Sequence, residues 1–348
     1  MRVLITGNMG YVGPVVTRDL RRCHPDAELI GHDSGLFAGC LTTNSRVPEA
    51  LLDAQHFGDV RELTAGLLDG VDAVVHLAAV SNDPIGNRFE AVTDAINRAA
   101  SLRLAGLAAA AGVRNFVYAS SCSVYGAAGA DARRENDALN PLTAYARSKV
   151  MTEQGLRQMD LNGMVTTCLR FATACGMSDR LRLDLVLNDF VACALSSGEI
   201  TVLSDGTPWR PLIDVRDMAR AIDWAISRSE GDGGRMLVVN VGSDERNHQV
   251  RELAEGVAAA VPGTSVSINR AAQPDARSYR VDFSLFRQLA PDHQPRHDLA
   301  DTIARLVAGM REVGFADADF RHSAKMIRLN ALSAFMEQGE LDADLRWR

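Results

Sequence analysis

The sequence predicts an α/β protein with a Rossmann-type, doubly wound parallel sheet and a smaller C-terminal α/β lobe. In the first half, short apolar strands alternate with longer helical stretches, which is the pattern of parallel βαβ units. Residues 73–77 form a short apolar run that is typical of a strand buried on both faces. The 348 residues exceed a typical domain, so we expect one large domain and an attached lobe.

The first half supplies most elements of the predicted sheet. Strands are expected at residues 2–6, 28–32, a short segment ending at 58–59, 73–77, 115–120 and 164–170. Helices are expected at residues 11–23 and 91–111. A third helix begins after Thr143, whose hydroxyl can cap it.

After about residue 173 the alternation is less regular. We predict strands at 199–203, 212–215 and 236–241, helices at 183–197, 215–229, 249–261, 301–311 and 321–338, and a loop-rich stretch at 262–299. The predicted Rossmann domain comprises residues 1–172 plus about 215–242. Residues 173–214 and 243–348 are assigned to the second lobe, which we expect to bind substrate.

Charge and composition disfavour several classes of protein. The net charge is −7 and the pI is about 5.6, which argues against nucleic acid as a partner because phosphate contacts need a basic surface. The six cysteines show neither a CxxC motif nor the spacing of a metal site. No apolar stretch approaches the roughly 18 residues of a membrane span, and the first residues lack a signal-peptide pattern. We therefore predict a cytoplasmic protein with no metal.

A glycine-rich turn follows the first predicted strand and opens the next helix. Gly7 allows a tight turn, Gly10 lets the backbone approach a pyrophosphate, and Gly13 lets helix and strand pack closely. The free N–H groups and the positive end of the helix dipole then face the phosphates. The spacing and its context together predict a dinucleotide site.

Asp33 lies 20 residues beyond Gly13, at the end of the second predicted strand. A carboxylate there accepts hydrogen bonds from the adenosine ribose hydroxyls and repels a 2′-phosphate. No arginine stands at Asn8, Met9 or Ser34 to offset that repulsion, so NAD is favoured over NADP.

Two further segments are candidates for the edges of the cofactor. Asp59 is a candidate acceptor for the adenine amine, with a solvated loop acid or helix cap as the alternative. Leu77, Ala78 and Ala79 would line the cofactor with small side chains.

Only two lysines occur in the chain, and one of them, Lys149, stands four residues after Tyr145. An i,i+4 pair lies on one face of a helix, where an ammonium lowers the pKa of a phenol, normally about 10, by favouring its charged form. Ser121 supplies a hydroxyl as the third member. This set predicts proton transfer to or from an alcohol oxygen.

Together these motifs resemble the extended short-chain dehydrogenase/reductase family, specifically its NAD-dependent sugar-nucleotide epimerases and dehydratases. The resemblance covers nearly the whole chain. Its markers are Thr6-Gly-x-x-Gly-x-x-Gly13, Asp33, Gly58-Asp59-Val60, His76-Leu-Ala-Ala79, Ser120-Ser121-Cys-Ser-Val-Tyr-Gly126, Tyr145-x-x-x-Lys149, Arg170-Phe-Ala-Thr-Ala-Cys-Gly176 and Trp209-Arg-Pro-Leu-Ile-Asp-Val-Arg-Asp217.

By this resemblance Tyr145 is the general base that takes a proton from a sugar hydroxyl while hydride passes to NAD. Lys149 lowers the pKa of that phenol and holds the nicotinamide ribose, and Ser121 hydrogen-bonds the reacting oxygen. The cofactor would be held by Gly7, Met9, Gly10, Tyr11, Val12, Gly13, Asp33, Ser34, Asp59, Val60, Leu77, Ala78, Ala79, Asn97, Tyr145, Lys149 and Ala172.

The resemblance also implies a substrate site in the second lobe. Arg210 matches the family arginine that grips a diphosphate, and Arg277 is its candidate partner, because guanidinium forks suit phosphate oxygens. The candidate substrate-binding residues are Ser81, Asn82, Ser123, Thr173, Asn188, Arg210 and Arg277. Thr173 stands where many C4 epimerases carry a substrate-binding asparagine, which leaves the sugar open.

The two residues after Ser121 separate the reactions of the family. Its 4,6-dehydratases carry an Asp-Glu pair there, and its 3,5-epimerases of GDP-mannose carry a cysteine one place later, whereas this chain has Cys122 and Ser123. C4 epimerases tolerate small residues at these places, so we expect C4 epimerisation of a sugar nucleotide through a transient ketone. The alternative is a dehydratase of a sugar nucleotide or nucleoside-like substrate, in which the Cys122 thiol assists elimination.

Two further expectations concern class and assembly. A non-catalytic regulator that binds NAD is a minor alternative, because such proteins typically lack the tyrosine or the lysine. Family members pair through the helices that correspond to 91–111 and 143–162, so the resemblance implies a homodimer.

Overall fold

The protein is described by a computed structural model in which a parallel sheet forms the centre. The structure describes residues 1–44, 46–81, 83–128, 131–272 and 278–348. The strands are β1 (Arg2–Thr6), β2 (Glu28–Asp33), β3 (Ala54–Phe57), β4 (Ala73–His76), β5 (Asn115–Ser121), β6 (Val165–Phe171), β7 (Thr173–Cys175), β8 (Glu199–Val202), β9 (Trp209–Asp214), β10 (Met236–Val241), β11 (Asn247–Gln249) and β12 (Ser265–Ile268).

Seven of these strands form the central sheet, in the order β3-β2-β1-β4-β5-β6-β10. Every neighbouring pair in it is parallel. The order reverses between β1 and β4, which is where doubly wound folds bind their ligands. The predicted fold class is confirmed.

The helices cover both faces of this sheet and build much of the second lobe. They are α1 (Gly13–Cys23), α2 (Asp83–Arg88), α3 (Glu90–Asp94), α4 (Ser101–Ala110), α5 (Ala144–Gln158), α6 (Val186–Ser196), α7 (Val215–Ser227), α8 (Val250–Ala260), α9 (Ser284–Leu289), α10 (Leu299–Glu312) and α11 (Arg328–Glu337). A π-helical turn, Ala95–Ala100, joins α3 to α4, so the predicted helix at 91–111 is one continuous rod. None of the helices in the described ranges is both long and apolar enough to cross a membrane.

The sequence explains where key elements begin and which layers they bury. The Thr143 hydroxyl caps α5 by accepting a hydrogen bond from the Ala146 amide at 3.2 Å, as predicted. Strand β4 is buried along its whole length, and successive residues point to opposite faces. Val74 therefore packs in the layer of α4 and α5, and Val75 in the layer of α1 and α7.

A buried polar chain fixes β1 to β4 beneath the glycine-rich turn. Thr6 Oγ1 lies 2.6 Å from Nδ1 of His76, and Nε2 of the same ring lies 2.7 Å from Ser101 Oγ. Burial lowers the pKa of His76 to about 3, so the ring stays neutral. The chain holds the end of β4, from which Leu77 continues toward the ligand site.

The second lobe contains two small sheets beside the central one. Strand β9 pairs with β7 in parallel and with β11 in antiparallel, while β8 pairs with β12. The loop-rich prediction for residues 262–299 is wrong in part, since β12 and α9 lie there. These elements are short, and β12 exists through its pairing with β8, which local sequence does not reveal.

The C-terminal end departs furthest from the predicted elements. Only Arg328–Glu337 of the predicted helix 321–338 is α-helical, because a 3-10 turn at Phe320–His322 interrupts the start. The helix and the tail after it pack onto the first half, where Leu332 and Leu345 meet Val80, Ile85 and other apolar side chains. The predicted lobe boundaries stay a prediction, but this segment does not belong to one lobe alone.

Candidate active site

A cavity of about 1080 Å³ opens at the carboxyl ends of β1, β2, β4, β5 and β6. Side chains from the second lobe form its opposite wall. Of the candidate residues, those that line it are Gly7, Gly10, Tyr11, Val12, Gly13, Asp33, Ser34, Asp59, Val60, Leu77, Ala78, Ala79, Ser81, Ser121, Ser123, Tyr145, Lys149, Ala172, Thr173 and Arg210.

The turn after β1 fits a dinucleotide. Gly7 has a φ of +76°, and a Cβ atom there would lie 2.5 Å from the Ala78 backbone nitrogen. A Cβ atom on Gly13 would lie 2.2 Å from the Asn8 carbonyl oxygen, so no larger residue lets α1 start this close to β1. The N-terminus of α1 therefore faces the cavity, where the positive end of the helix dipole suits a phosphate.

Asp33 is held at the end of β2 by backbone donors. Its carboxylate accepts from the Met9 amide at 3.0 Å and from the Gly35 amide at 2.8 Å. Burial raises the pKa of Asp33, and these two bonds oppose that rise. Met9 itself does not line the cavity, so its contribution as a candidate cofactor residue is to orient Asp33.

Asp59 differs from Asp33 because its carboxylate is already engaged. It accepts from the Arg61 amide at 2.8 Å and forms a 2.5 Å ion pair with the Arg61 guanidinium. The structure therefore shows the helix-cap alternative for this side chain, although Asp59 also lines the cavity.

Tyr145, Lys149 and Ser121 lie on the same wall of the cavity. The Lys149 ammonium donates to the Ala119 carbonyl at 2.7 Å and lies 5.4 Å from the centroid of the Tyr145 ring. Ser121 Oγ, at the end of β5, accepts a hydrogen bond from the Ser123 amide at 3.1 Å. The structure thus brings together the three groups that the sequence picked out.

The charge on Lys149 is sensitive to pH. The side chain is 3% exposed, and burial lowers the pKa of Lys149 to about 7, with the Glu153 carboxylate opposing that shift. A second, permanent positive charge near Tyr145 would be useful here.

Arg182 supplies such a charge, and the sequence analysis missed it. Its guanidinium pairs with Asp184 at 2.8 Å and donates to the Ser81 hydroxyl at 3.0 Å on the cavity wall. Burial opposes its charge, but the Asp184 carboxylate and the Tyr11 and Tyr145 phenols together raise the pKa of Arg182. No motif marks this arginine, which lies in the connection between β7 and α6.

The proposed catalytic role of Cys122 is not supported by the structure. The side chain is fully buried in the core, and its thiol donates to the Arg170 carbonyl at 3.1 Å. Burial raises the pKa of Cys122, which disfavours a thiolate. Cys122 does not line the cavity, because Ser121 and Ser123 point toward it and the residue between them points away.

Asn97 and Asn188 are structural rather than ligand-facing. The Asn97 amide bonds to both the backbone N–H and C=O of Val80, at 2.8 and 2.9 Å, and so fixes the segment after β4. Asn188 is fully buried and donates to the hydroxyl of Tyr11 at 3.1 Å. Neither lines the cavity, so the structure shows no ligand-facing contact for them, and their assignments to cofactor and substrate binding stay predictions. Asn82 and Arg277 lie outside the described residues.

Among the described residues, those after 172 contribute four arginines to the cavity: Arg182, Arg210, Arg321 and Arg328. Arg321 pairs with Asp189 at 2.8 Å, as Arg182 does with Asp184. Arg210, on β9, was the only one of the four that the sequence predicted.

The fold and the cavity define an NAD-binding enzyme of the Rossmann type. A model of the NAD dependent epimerase/dehydratase family matches residues 3–242, so the chain belongs to this family. A UDP-glucose 4-epimerase of Azospirillum brasilense is 31% identical over 337 residues, which cover 87% of this chain and 90% of the relative.

One other relative and one solved structure with a similar fold are dehydratases. A dTDP-glucose 4,6-dehydratase of Actinoplanes sp. is 24% identical over 324 residues, covering 89% of this chain and 98% of the relative. The solved structure of an NAD-dependent NDP-hexosamine 5,6-dehydratase of tunicamycin biosynthesis matches with a TM-score of 0.76 over 91% of this chain and 99% of its own, at 24% identity. At this identity the structural match shows the shared fold.

Proposed function

We propose that the protein is a C4 epimerase of a sugar nucleotide that works through a transient ketone. The observation that carries this proposal is the state of the carboxylates in the cavity. A dehydratase needs an acid and a base for elimination, in addition to the groups that oxidise the sugar. Among the described residues of the cavity wall, the carboxylates are already engaged.

Each of these carboxylates has its own partner. Asp59 pairs with Arg61, Asp184 with Arg182, and Asp189 with Arg321. Asp33 accepts two backbone amides at the end of β2, where a ribose would bind. With Cys122 turned into the core, no candidate of the sequence analysis is left to drive elimination.

The residues that remain suffice for reversible oxidation of an alcohol. Tyr145 would take the proton of the sugar hydroxyl, and Ser121 would hydrogen-bond the same oxygen. Lys149 and Arg182 would stabilise the negative charge on the phenolate. NAD, when bound, would supply the hydride acceptor for the sugar carbon, and inversion at C4 would require the ketone to turn in the site so that the hydride returns to its opposite face. Release of the proton by Tyr145 to the oxygen then restores the alcohol.

The cavity wall formed by the residues after 172 has features that suit binding of the substrate through a nucleotide diphosphate. Arg210 lines the cavity on β9, as do the end of β8 and the two residues after it, of which Leu203 is 81% exposed. An exposed apolar side chain beside an arginine suits a base next to a diphosphate. On the sheet side, the Ser123 hydroxyl is buried without a hydrogen-bond partner among the described residues, and it lines the cavity. It is available to a sugar hydroxyl.

The test is product analysis of the purified protein with UDP-glucose in deuterium oxide. We expect UDP-galactose with no deuterium incorporated at carbon, because the hydride leaves and returns without meeting solvent. The same incubation should be repeated with UDP-N-acetylglucosamine, UDP-glucuronic acid and dTDP-glucose, since the sugar and base are open. Inversion at C4 with any of these supports the proposal.

The dehydratase alternative predicts different products in the same deuterium oxide incubations. Loss of water, or deuterium at the carbon beside the ketone, would show elimination and would contradict the epimerase proposal. The dTDP-glucose 4,6-dehydratase among the relatives makes dTDP-glucose the substrate on which this outcome should be sought.

We also propose that the protein is a homodimer that pairs through α4 and α5. Helix α5 carries Met151, an apolar side chain that is 43% exposed. Light scattering coupled to gel filtration should give twice the 37.6 kDa of one chain. A mass of one chain at micromolar concentration would contradict this assembly.

A further inference from the structure

Arg328 is a buried cation that forms no ion pair with any residue the structure describes. It is 2% exposed and lies at the start of α11, on the wall of the cavity. Its guanidinium donates to the carbonyls of Lys325 and Arg180, at 3.2 and 2.8 Å, and lies 5.0 Å from the centroid of the Phe37 ring. No carboxylate in the described part of the chain comes within ion-pair distance of it.

Its neighbours make the excess of positive charge larger. Arg180 and Arg182 lie nearby, but each has its own carboxylate, Glu49 at 2.6 Å and Asp184 at 2.8 Å. Burial lowers the pKa of Arg328 to about 10, helped by the nearby Arg182 and Arg180 and opposed by Cys40 and Asp184. A buried charge of this kind usually has a partner, and here the open side of the site is the cavity.

The segment that carries Arg328 is attached to the cofactor half of the cavity. After α11 the chain returns past β2, where Leu345 lines the cavity and Trp347 Nε1 donates to the Ser34 carbonyl at 2.6 Å. Arg346 contacts Glu62, close to the Asp59 segment. Phe37, on which Arg328 packs, follows Asp33 by four residues.

We propose that Arg328 binds the diphosphate of NAD, from the wall opposite to the N-terminus of α1. The C-terminal segment is then part of the cofactor site and not only of the substrate lobe. Arg328 faces the side of the cavity bounded by Phe37 and Leu345, whereas Arg210 serves the substrate side. The proposal rests on the cofactor site described above, but not on the reaction that the enzyme catalyses.

Binding of fragments to the cofactor-free full-length chain tests the proposal without turnover. Calorimetry should compare NAD, ADP, adenosine and UDP on the wild type and on Arg328→Gln. Loss of a charge-assisted contact to phosphate should weaken NAD and ADP by about 10- to 100-fold and leave adenosine and UDP unchanged. Arg328→Lys should recover part of the affinity for NAD. Lys325→Gln, which removes an equal charge from an exposed position three residues away, should bind all four ligands like the wild type.

Thermal unfolding of the cofactor-free variants separates a binding role from a structural one. If Arg328 awaits an anion, Arg328→Gln should unfold at the same temperature as the wild type or higher, and saturating NAD should raise that temperature less. An equal loss of adenosine and ADP affinity, with a lower unfolding temperature, would show that Arg328 merely anchors α11. A loss confined to UDP would assign the residue to the substrate, and no change in any ligand would also overturn the proposal.

Discussion

The two walls of the cavity are built from different chemistry. The wall formed by residues 1–172 carries glycines, small side chains and serines near the ends of parallel strands, together with Tyr145 and Lys149 on α5. The wall formed by the later residues carries the four arginines, two of them paired with Asp184 and Asp189. One wall holds groups that gain and lose protons, and the other holds charges that stay fixed.

The difference teaches how the two tasks of the enzyme are divided. Proton transfer at Tyr145 depends on the charge of Lys149, whose pKa burial lowers to about 7. Holding anionic ligands needs charges that do not titrate, which arginine provides. The division predicts that variants of the first wall change the chemistry and that variants of the second change binding or stability.

Tyr145→Phe should give the largest effect on the reaction. Removing the general base should lower kcat by about 10²- to 10⁴-fold, because no other phenol in the described wall replaces it near Ser121. NAD affinity and the unfolding temperature should change little. Steady-state kinetics with the substrate that the product analysis identifies measure kcat. Titration with NAD measures the cofactor affinity, and thermal unfolding measures the unfolding temperature.

Tyr125→Phe is the matched control. The Tyr125 hydroxyl donates to the Asn240 side chain at 2.7 Å and lies behind the wall rather than in the cavity. It should cost about 1 kcal/mol of stability and leave kcat unchanged. Similar kcat values for Tyr145→Phe and the wild type would remove Tyr145 from the mechanism.

Arg182→Gln should have its largest effect on stability, although it lies close to Tyr145. The change leaves Asp184 in a buried place without its cation, which should cost about 3–5 kcal/mol. Urea unfolding measures this cost. The double variant Arg182→Gln with Asp184→Asn should recover most of it, because no unpaired charge is left.

The dependence of kcat on pH in the same double variant tests whether Arg182, on the second wall, influences Tyr145 on the first. If Arg182 stabilises the phenolate, the rise of kcat with pH should move to higher pH. An unshifted profile would show that Lys149 alone sets the acidity of Tyr145.

Lys149 should make stability depend on pH in a defined window. Its pKa is about 7 in the folded protein and about 10.4 when unfolded, so the unfolded chain binds more protons between these values. The free energy of unfolding should therefore rise with pH from 7 to 10, by up to about 1.4 kcal/mol per pH unit from this group. Comparison of the wild type with Lys149→Met by urea unfolding isolates the contribution. Equal slopes in both proteins would mean that Lys149 is not desolvated as described.

Cys122→Ala should have the smallest effect on kcat of the variants considered. It tests whether a residue of the core behind the cavity wall contributes to catalysis. Loss of a buried sulfur should cost about 1 kcal/mol of stability, and kcat should stay within twofold of the wild type. A fall in kcat by a hundredfold or more, with the fold intact by circular dichroism, would restore the catalytic role that the sequence suggested.

The cofactor side of the site could be predicted because its residues follow strand ends. Gly7, Asp33, Leu77 and Ser121 each come directly after or at the end of a strand of the central sheet. Carboxyl ends of parallel strands meet at one edge, so strand assignment alone brings these residues together. The i,i+4 spacing of Tyr145 and Lys149 adds the catalytic pair for the same local reason.

What the sequence by itself determined is therefore the fold class, the NAD site along the sheet edge and the trio of Ser121, Tyr145 and Lys149. Only the tertiary structure decided that Cys122 points into the core, that Asn97 and Asn188 serve the backbone, and that Arg182 and Arg328 reach the cavity. Local spacing fixes neighbours along one strand or helix. It does not fix which side chains from a distant connection or from the C-terminal segment are buried against them, since that depends on how the second lobe and the tail pack.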